Sequence, residues 1–137
     1  DDSAGMSVAE ALSRMDARGD WIILRCGIHP EHYTRDIRKH HPSMVVIVDA
    51  VDMALSPGEI RRIGRSAQET LFLTTHRIPL SSLVNYIETF VPLCHLIGIQ
   101  PHTIAPAARM SPPVARAVDE LSHILSKFEL ERIQIME

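Results

Sequence analysis

The sequence predicts an α/β domain: three layers, α/β/α, around a mostly parallel, twisted sheet. Three observations carry that expectation. Short apolar runs rich in β-branched residues, Met44-Val45-Val46-Ile47-Val48 above all, read as strands buried on both faces. Between them lie stretches with apolar residues at i, i+3, i+4 spacing, which read as amphipathic helices. The two patterns alternate along the chain, as crossover connections between parallel strands require. A length of 137 residues suits one core, so residues 1–137 are read as a single domain.

Taken in order, Val8, Ala11, Leu12 and Met15 mark a helix from Ser7 to about Arg18, closed by Gly19-Asp20. Trp21-Ile22-Ile23-Leu24 reads as a short buried strand. A more polar helix is expected over His32 to Lys39, stopping before His41-Pro42. The strand Met44–Val48 follows, then a loop with a turn at Pro57-Gly58. Glu59 to Ile63 alternates polar and apolar residues and is expected at a sheet edge with one wet face. A helix from Pro79 to Phe90 buries Leu80, Leu83, Val84 and Ile87, and His95 to Gln100 forms another buried strand, stopped by Pro101. The last helix runs from about Ser111 to Ile133. Asp1-Asp2-Ser3-Ala4-Gly5 reads as a strand-to-helix loop whose strand is missing, so the chain is expected to be N-terminally truncated.

Composition narrows the function. Hydrophobic residues make up 45% and charged residues 23%, with a formal net charge of −3, and no basic run tracks a phosphate backbone. Nucleic acid is therefore not an expected partner. No apolar run approaches the roughly 20 residues of a membrane span, and the acidic start lacks a secretory signal's basic region. No membrane association and a cytoplasmic setting are expected. Cys26 and Cys94 form no C-x-x-C pair and read as reduced thiols.

In sheets of this class, ligands sit beyond the carboxyl ends of the strands. The loops beginning at Arg25, Asp49 and Gln100 are thereby singled out, together with Asp1-Asp2 if a strand precedes it. Asp49 is the first polar residue after five apolar ones, although a strand-end Asp also serves as a helix cap. His76 sits in a loop just before a helix, where a solvated histidine is equally common. Asp2 belongs to an acidic pair of the kind that is often merely solvated. Two carboxylates and an imidazole on one sheet edge would make a three-ligand site for a borderline divalent metal, with positions left for water or substrate. His29, His32, His40 and His41 form no chelating i, i+4 pair and read as surface residues. G-x-S-x-G, Walker and complete G-x-G-x-x-G motifs are absent.

Several segments together resemble the nickel–iron hydrogenase maturation endopeptidases, above all the type serving the hydrogenase of formate hydrogenlyase complexes. They are Val46-Ile47-Val48-Asp49-Ala50-Val51-Asp52-Met53 with Ser56-Pro57-Gly58-Glu59-Ile60, then Thr74-Thr75-His76 with Ile78-Pro79-Leu80, then Leu96-Ile97-Gly98-Ile99-Gln100-Pro101. Asp1-Asp2-Ser3-Ala4-Gly5 is similar to the family's Gly-Asp-Asp-Gly-Ala-Gly segment. The likeness covers nearly the whole chain in the right order. It implies a twisted five-stranded sheet and an aspartyl-type endopeptidase. The implied partner is a nickel-loaded hydrogenase large-subunit precursor, cut after a Cys-x-x-Cys-x-x-His/Arg segment to release its C-terminal extension. The implied nickel-contacting and catalytic residues are Asp2, Asp49 and His76, with nickel supplied by the precursor. The protein is also expected to be a monomer.

Two departures stand against the family pattern. Its first strand, with Gly-x-Gly-Asn, has no counterpart in this chain. Arg25-Cys26-Gly27 stands where the family carries Asp-Gly-Gly, replacing an anion with a cation. They motivate an alternative, a non-catalytic paralogue that binds the precursor or nickel without cutting. An unrelated small-molecule α/β enzyme is a third reading.

Overall fold

Four consecutive residues from Val45 to Val48 have side chains that favour extended backbone, and they lie in the first strand, β1, Met44–Ala50. The structure, a computed structural model, describes residues 3–15, 21–25, 33–71, 80–102 and 109–137. Around β1 it places helices α1 (Ala4–Arg14) and α2 (Thr34–His40), strand β2 (Ile60–Ile63), and helices α3 (Arg65–Gln68) and α4 (Leu80–Ile87). Strand β3 (Leu93–Ile99), helix α5 (Pro112–Ser126), a 3₁₀ turn at Leu130–Arg132 and strand β4 (Ile135–Met136) complete the order.

The sheet runs β1-β3-β2-β4. β1 and β3 are parallel with Met44 opposite Leu93 and Asp49 opposite Gly98. β2 is antiparallel to β3 and parallel to β4. The expected mostly parallel α/β fold is therefore present, with four strands among the described residues.

Alternation along the strands divides the core between the two sheet faces. Val46 and Val48 of β1 and Ile97 and Ile99 of β3 join Val8 and Leu12 of α1 and Val114, Leu121 and Leu125 of α5 in one cluster. Val45, Ile47 and Leu96 point the other way, toward Leu83, Val84 and Ile87 of α4 and Ala67 of α3. Helices on both faces make the three layers. Gly5 permits the closest approach, since a Cβ there would overlap the Val48 carbonyl oxygen.

Several expectations needed correction. Residues 21–25 are not a strand. Trp21 stacks on Phe128 at 4.8 Å between ring centroids, and its Nε1–H donates to the Leu125 carbonyl at 2.8 Å. A half-buried indole packed against the end of α5 needs an acceptor, and a carbonyl of the helix's last turn provides one. β2 is not an edge strand, because the C-terminal Ile135–Met136 adds beside it. β1 is half-buried along most of its length, because among the described residues it pairs on one side only. α5 stops at Ser126, well short of Ile133, and Phe128 follows at φ 57, in the left-handed region that ends helices. α3 was not anticipated. Pro79, expected to start α4, lies outside the described residues.

Candidate active site

Asp49 was expected just beyond its strand and instead occupies the penultimate position of β1. Pairing with β3 continues past it, with Val51 N–H donating to the Ile99 carbonyl at 3.1 Å. Its Oδ1 accepts the Ala50 N–H at 2.8 Å, which orients the carboxylate at the sheet's carboxyl end. Gly5 lies directly alongside: a Cβ built there would be 3.4 Å from the Asp49 Cα. The N-terminal turn of α1, with its partial positive charge, thus begins beside Asp49.

The connection from β1 to β2 is held by a dense set of bonds. Ala54 sits at φ 57, and its N–H donates to Asp52 Oδ1 at 3.1 Å in an Asx-type turn. Glu59 N–H donates to the Ser56 carbonyl at 3.1 Å. Gly58 takes φ 88, and its N–H donates to the Gln100 carbonyl at 2.9 Å. The expected Pro57-Gly58 turn is present. Gln100, 6% exposed, closes the set: its Oε1 accepts the Met53 N–H at 2.6 Å and its Nε2 donates to Asp52 Oδ1 at 3.2 Å. Sequence reasoning reached Gln100 as the end of a strand, the start of a loop and part of the Leu96–Pro101 resemblance, but gave it no role. The available signal was one amide between a buried strand and a proline.

The other two expected site residues, Asp2 and His76, lie outside the described residues. Among the described residues no three His, Cys, Asp or Glu side chains gather closely enough to hold a metal ion. Arg25 is exposed, and Cys26, Gly27, His29 and His32 are outside the description. His40 and His41 are exposed, as expected, with His41 at φ 47 capping α2. Cys94 is a buried free thiol, pushed up to about 12 by burial and then by the charge of Glu88. It is a core residue, not a nucleophile. No described helix is long and apolar enough to cross a membrane.

A family model for HycI, hydrogenase maturation protease, matches residues 6–127. The chain belongs to the hydrogenase maturation proteases. Its sequence is 34% identical to the hydrogenase 3 maturation protease of Escherichia coli K12 over 130 residues, covering 94% of this chain and 83% of that one. A crystal structure of a hydrogenase 3 maturation protease superimposes with a TM-score of 0.89 at 31% identity, over 99% of this chain and 88% of the other. The solution structure of the endopeptidase HycI from Escherichia coli gives 0.84 at 33% identity, over 93% and 82%. Membership of the hydrogenase maturation proteases removes the reading as an unrelated small-molecule enzyme.

Proposed function

We propose that Asp49 works together with Asp2 and His76 in a single protease domain spanning residues 1–137. As a hydrogenase maturation protease, the chain is a peptide hydrolase that removes the C-terminal extension of a hydrogenase large-subunit precursor. In the proposed reading the precursor arrives already carrying nickel, in the cytoplasm, and meets a monomeric protease. The metal belongs to the substrate, and it docks the scissile segment and can polarise its carbonyl.

One observation carries this reading: Gly5 packs against the Val48 carbonyl and Asp49, so the turn that Asp2 precedes begins at Asp49. Chain direction adds support for His76. The last turn of α4 leads within a few residues into the first residue of β3 and packs on the sheet, so α4 runs opposite to β3. Its first residue, Leu80, is then directed toward the strands' carboxyl ends, four residues after His76. Two carboxylates and an imidazole suit a borderline divalent ion. Asp49 supplies a carboxylate able to hold a proton of the attacking water.

The test uses purified full-length protein and nickel-loaded precursor. Asp49→Asn keeps the shape and loses the charge, and cleavage is expected to fall by at least about 10²-fold. Normal cleavage by that variant would remove Asp49 from the mechanism. Binding of precursor by the unsubstituted protein without release of the tail would instead favour the non-catalytic reading prompted by Arg25-Cys26-Gly27.

A further inference from the structure

We propose that Gln100 is a positioning residue for peptide cleavage: its side chain holds the loop Val51–Leu55, next to Asp49, in its working conformation. The inference rests on the reading of Asp49 as a working residue. Gln100 follows β3 directly and is nearly inaccessible to solvent. Burying an unmatched amide is costly, and here every polar atom of the residue is matched. Oε1 accepts N–H groups from Met53 at 2.6 Å and Leu55 at 3.3 Å. Nε2 donates to Asp52 Oδ1 and to the Pro101 carbonyl, both at 3.2 Å. The backbone N–H donates to the Glu59 carbonyl at 2.9 Å, and the backbone carbonyl accepts from Gly58.

The amide orientation follows from the partners. Two backbone N–H groups require an acceptor, while a carboxylate and a carbonyl require donors, so only one flip satisfies all four. One side chain thus grips three residues of a loop that starts two positions after Asp49. No apolar replacement can do this. A loop shift of about 1 Å in a cleavage site costs up to about 10²-fold in rate.

Two substitutions test the role on the full chain, with nickel-loaded precursor followed in single-turnover cleavage. Gln100→Leu leaves Met53 and Leu55 N–H without their acceptor. The expected result is a 10- to 100-fold lower cleavage rate with KM changed less than about threefold. Gln100→Glu keeps both acceptor contacts but sets a carboxylate against Asp52 and the Pro101 carbonyl. Asp52 is the charged group facing it from the loop; Glu59, from the approach to β2, is paired with Arg61 at 3.0 Å.

Burial and Asp52 raise the introduced carboxyl's pKa, so it is protonated on the acid side and then donates to Asp52 as the amide does. Cleavage by Gln100→Glu relative to the unsubstituted protein is therefore expected to recover as pH falls and to decline as it rises. A purely structural residue would lower thermal stability without adding that pH limb. Folded Gln100→Leu with an unchanged rate, or Gln100→Glu with an unaltered pH profile, overturns the inference. Should Gln100→Leu fail to fold, the Gln100→Glu profile decides. Loss of cleavage in Asp49→Asn with unaffected Gln100 variants sinks this inference alone, whereas normal cleavage by Asp49→Asn sinks the reading beneath it.

Discussion

At the carboxyl end of β1 and β3, polar atoms are consumed by bonds between loop backbone and side chains. The amino end of β3 instead opens into a hollow of about 410 Å³ edged by Arg62, Arg65, Glu88 and His95. That hollow has the volume of a ligand site, but its chemistry is unfocused. Arg65 is 76% exposed and pairs with Glu88 at 3.2 Å, and Arg62 Nε donates to the Ile133 carbonyl at 3.3 Å. The thiol within it, Cys94, is buried, and burial together with Glu88 favours its protonated form. Concavity and the proposed carboxylate, Asp49, mark opposite ends of this sheet. The proposed site is the end where a strand-terminal carboxylate, a close helix approach and a fully bonded loop coincide.

The contrast can be broken from either side, and three substitutions rank by expected effect. Gly5→Ala drives a methyl group into the Val48 carbonyl, so α1 must lift from β1 beside Asp49. A loss of about 1–3 kcal/mol in denaturant unfolding is expected, with a parallel loss of cleavage. If α1 tolerates the methyl group with cleavage intact, close approach at that end is not required.

His95 gives an intermediate effect at the other end. Burial and the nearby Arg62 hold its imidazole below the ordinary 6.5, with Glu88 opposing. The unfolded chain then binds more protons than the native one as pH falls through that range. Stability is present above about pH 6.5 and declines below it. His95→Gln should narrow the difference between unfolding midpoints measured at about pH 5 and about pH 7.5, leaving cleavage near neutrality unchanged. An equal difference in both proteins would show that His95 is not part of the acid response.

Arg65→Ala should matter least. An exposed pair is worth well under about 1 kcal/mol, and neither the unfolding midpoint nor the cleavage rate should move measurably. A loss of cleavage would make the amino-end hollow part of the working surface.

Much of the fold was legible because it depends on local pattern. Met44–Val48 reads as a parallel strand from its β-branched side chains, and Asp49 stands out as the carboxylate that ends the run. What escaped depends on partners distant in sequence. Trp21-Ile22-Ile23-Leu24 has a strand's composition, but its indole N–H is satisfied by Leu125 and its ring by Phe128. β2 has an edge strand's alternation and becomes interior only because Ile135 and Met136 join it. The bonds of Gln100 leave no local pattern, since they reach Asp52, Met53 and Leu55 across the sheet end. Asp2 and His76 still rest on the resemblance and on chain direction.

The pairing of β2 with β4 has a kinetic consequence. Arg62 must find Ile135, and α1 must find α5, before the sheet and one helical layer are complete. Both contacts join segments far apart in sequence, so the entropy of closing long loops precedes their reward. During synthesis α1 can form and meet β1 while its other partner, α5, is still missing. Folding of this protease is therefore expected to wait for α5 and Ile135–Met136 to leave the ribosome, and to slow when those residues are altered.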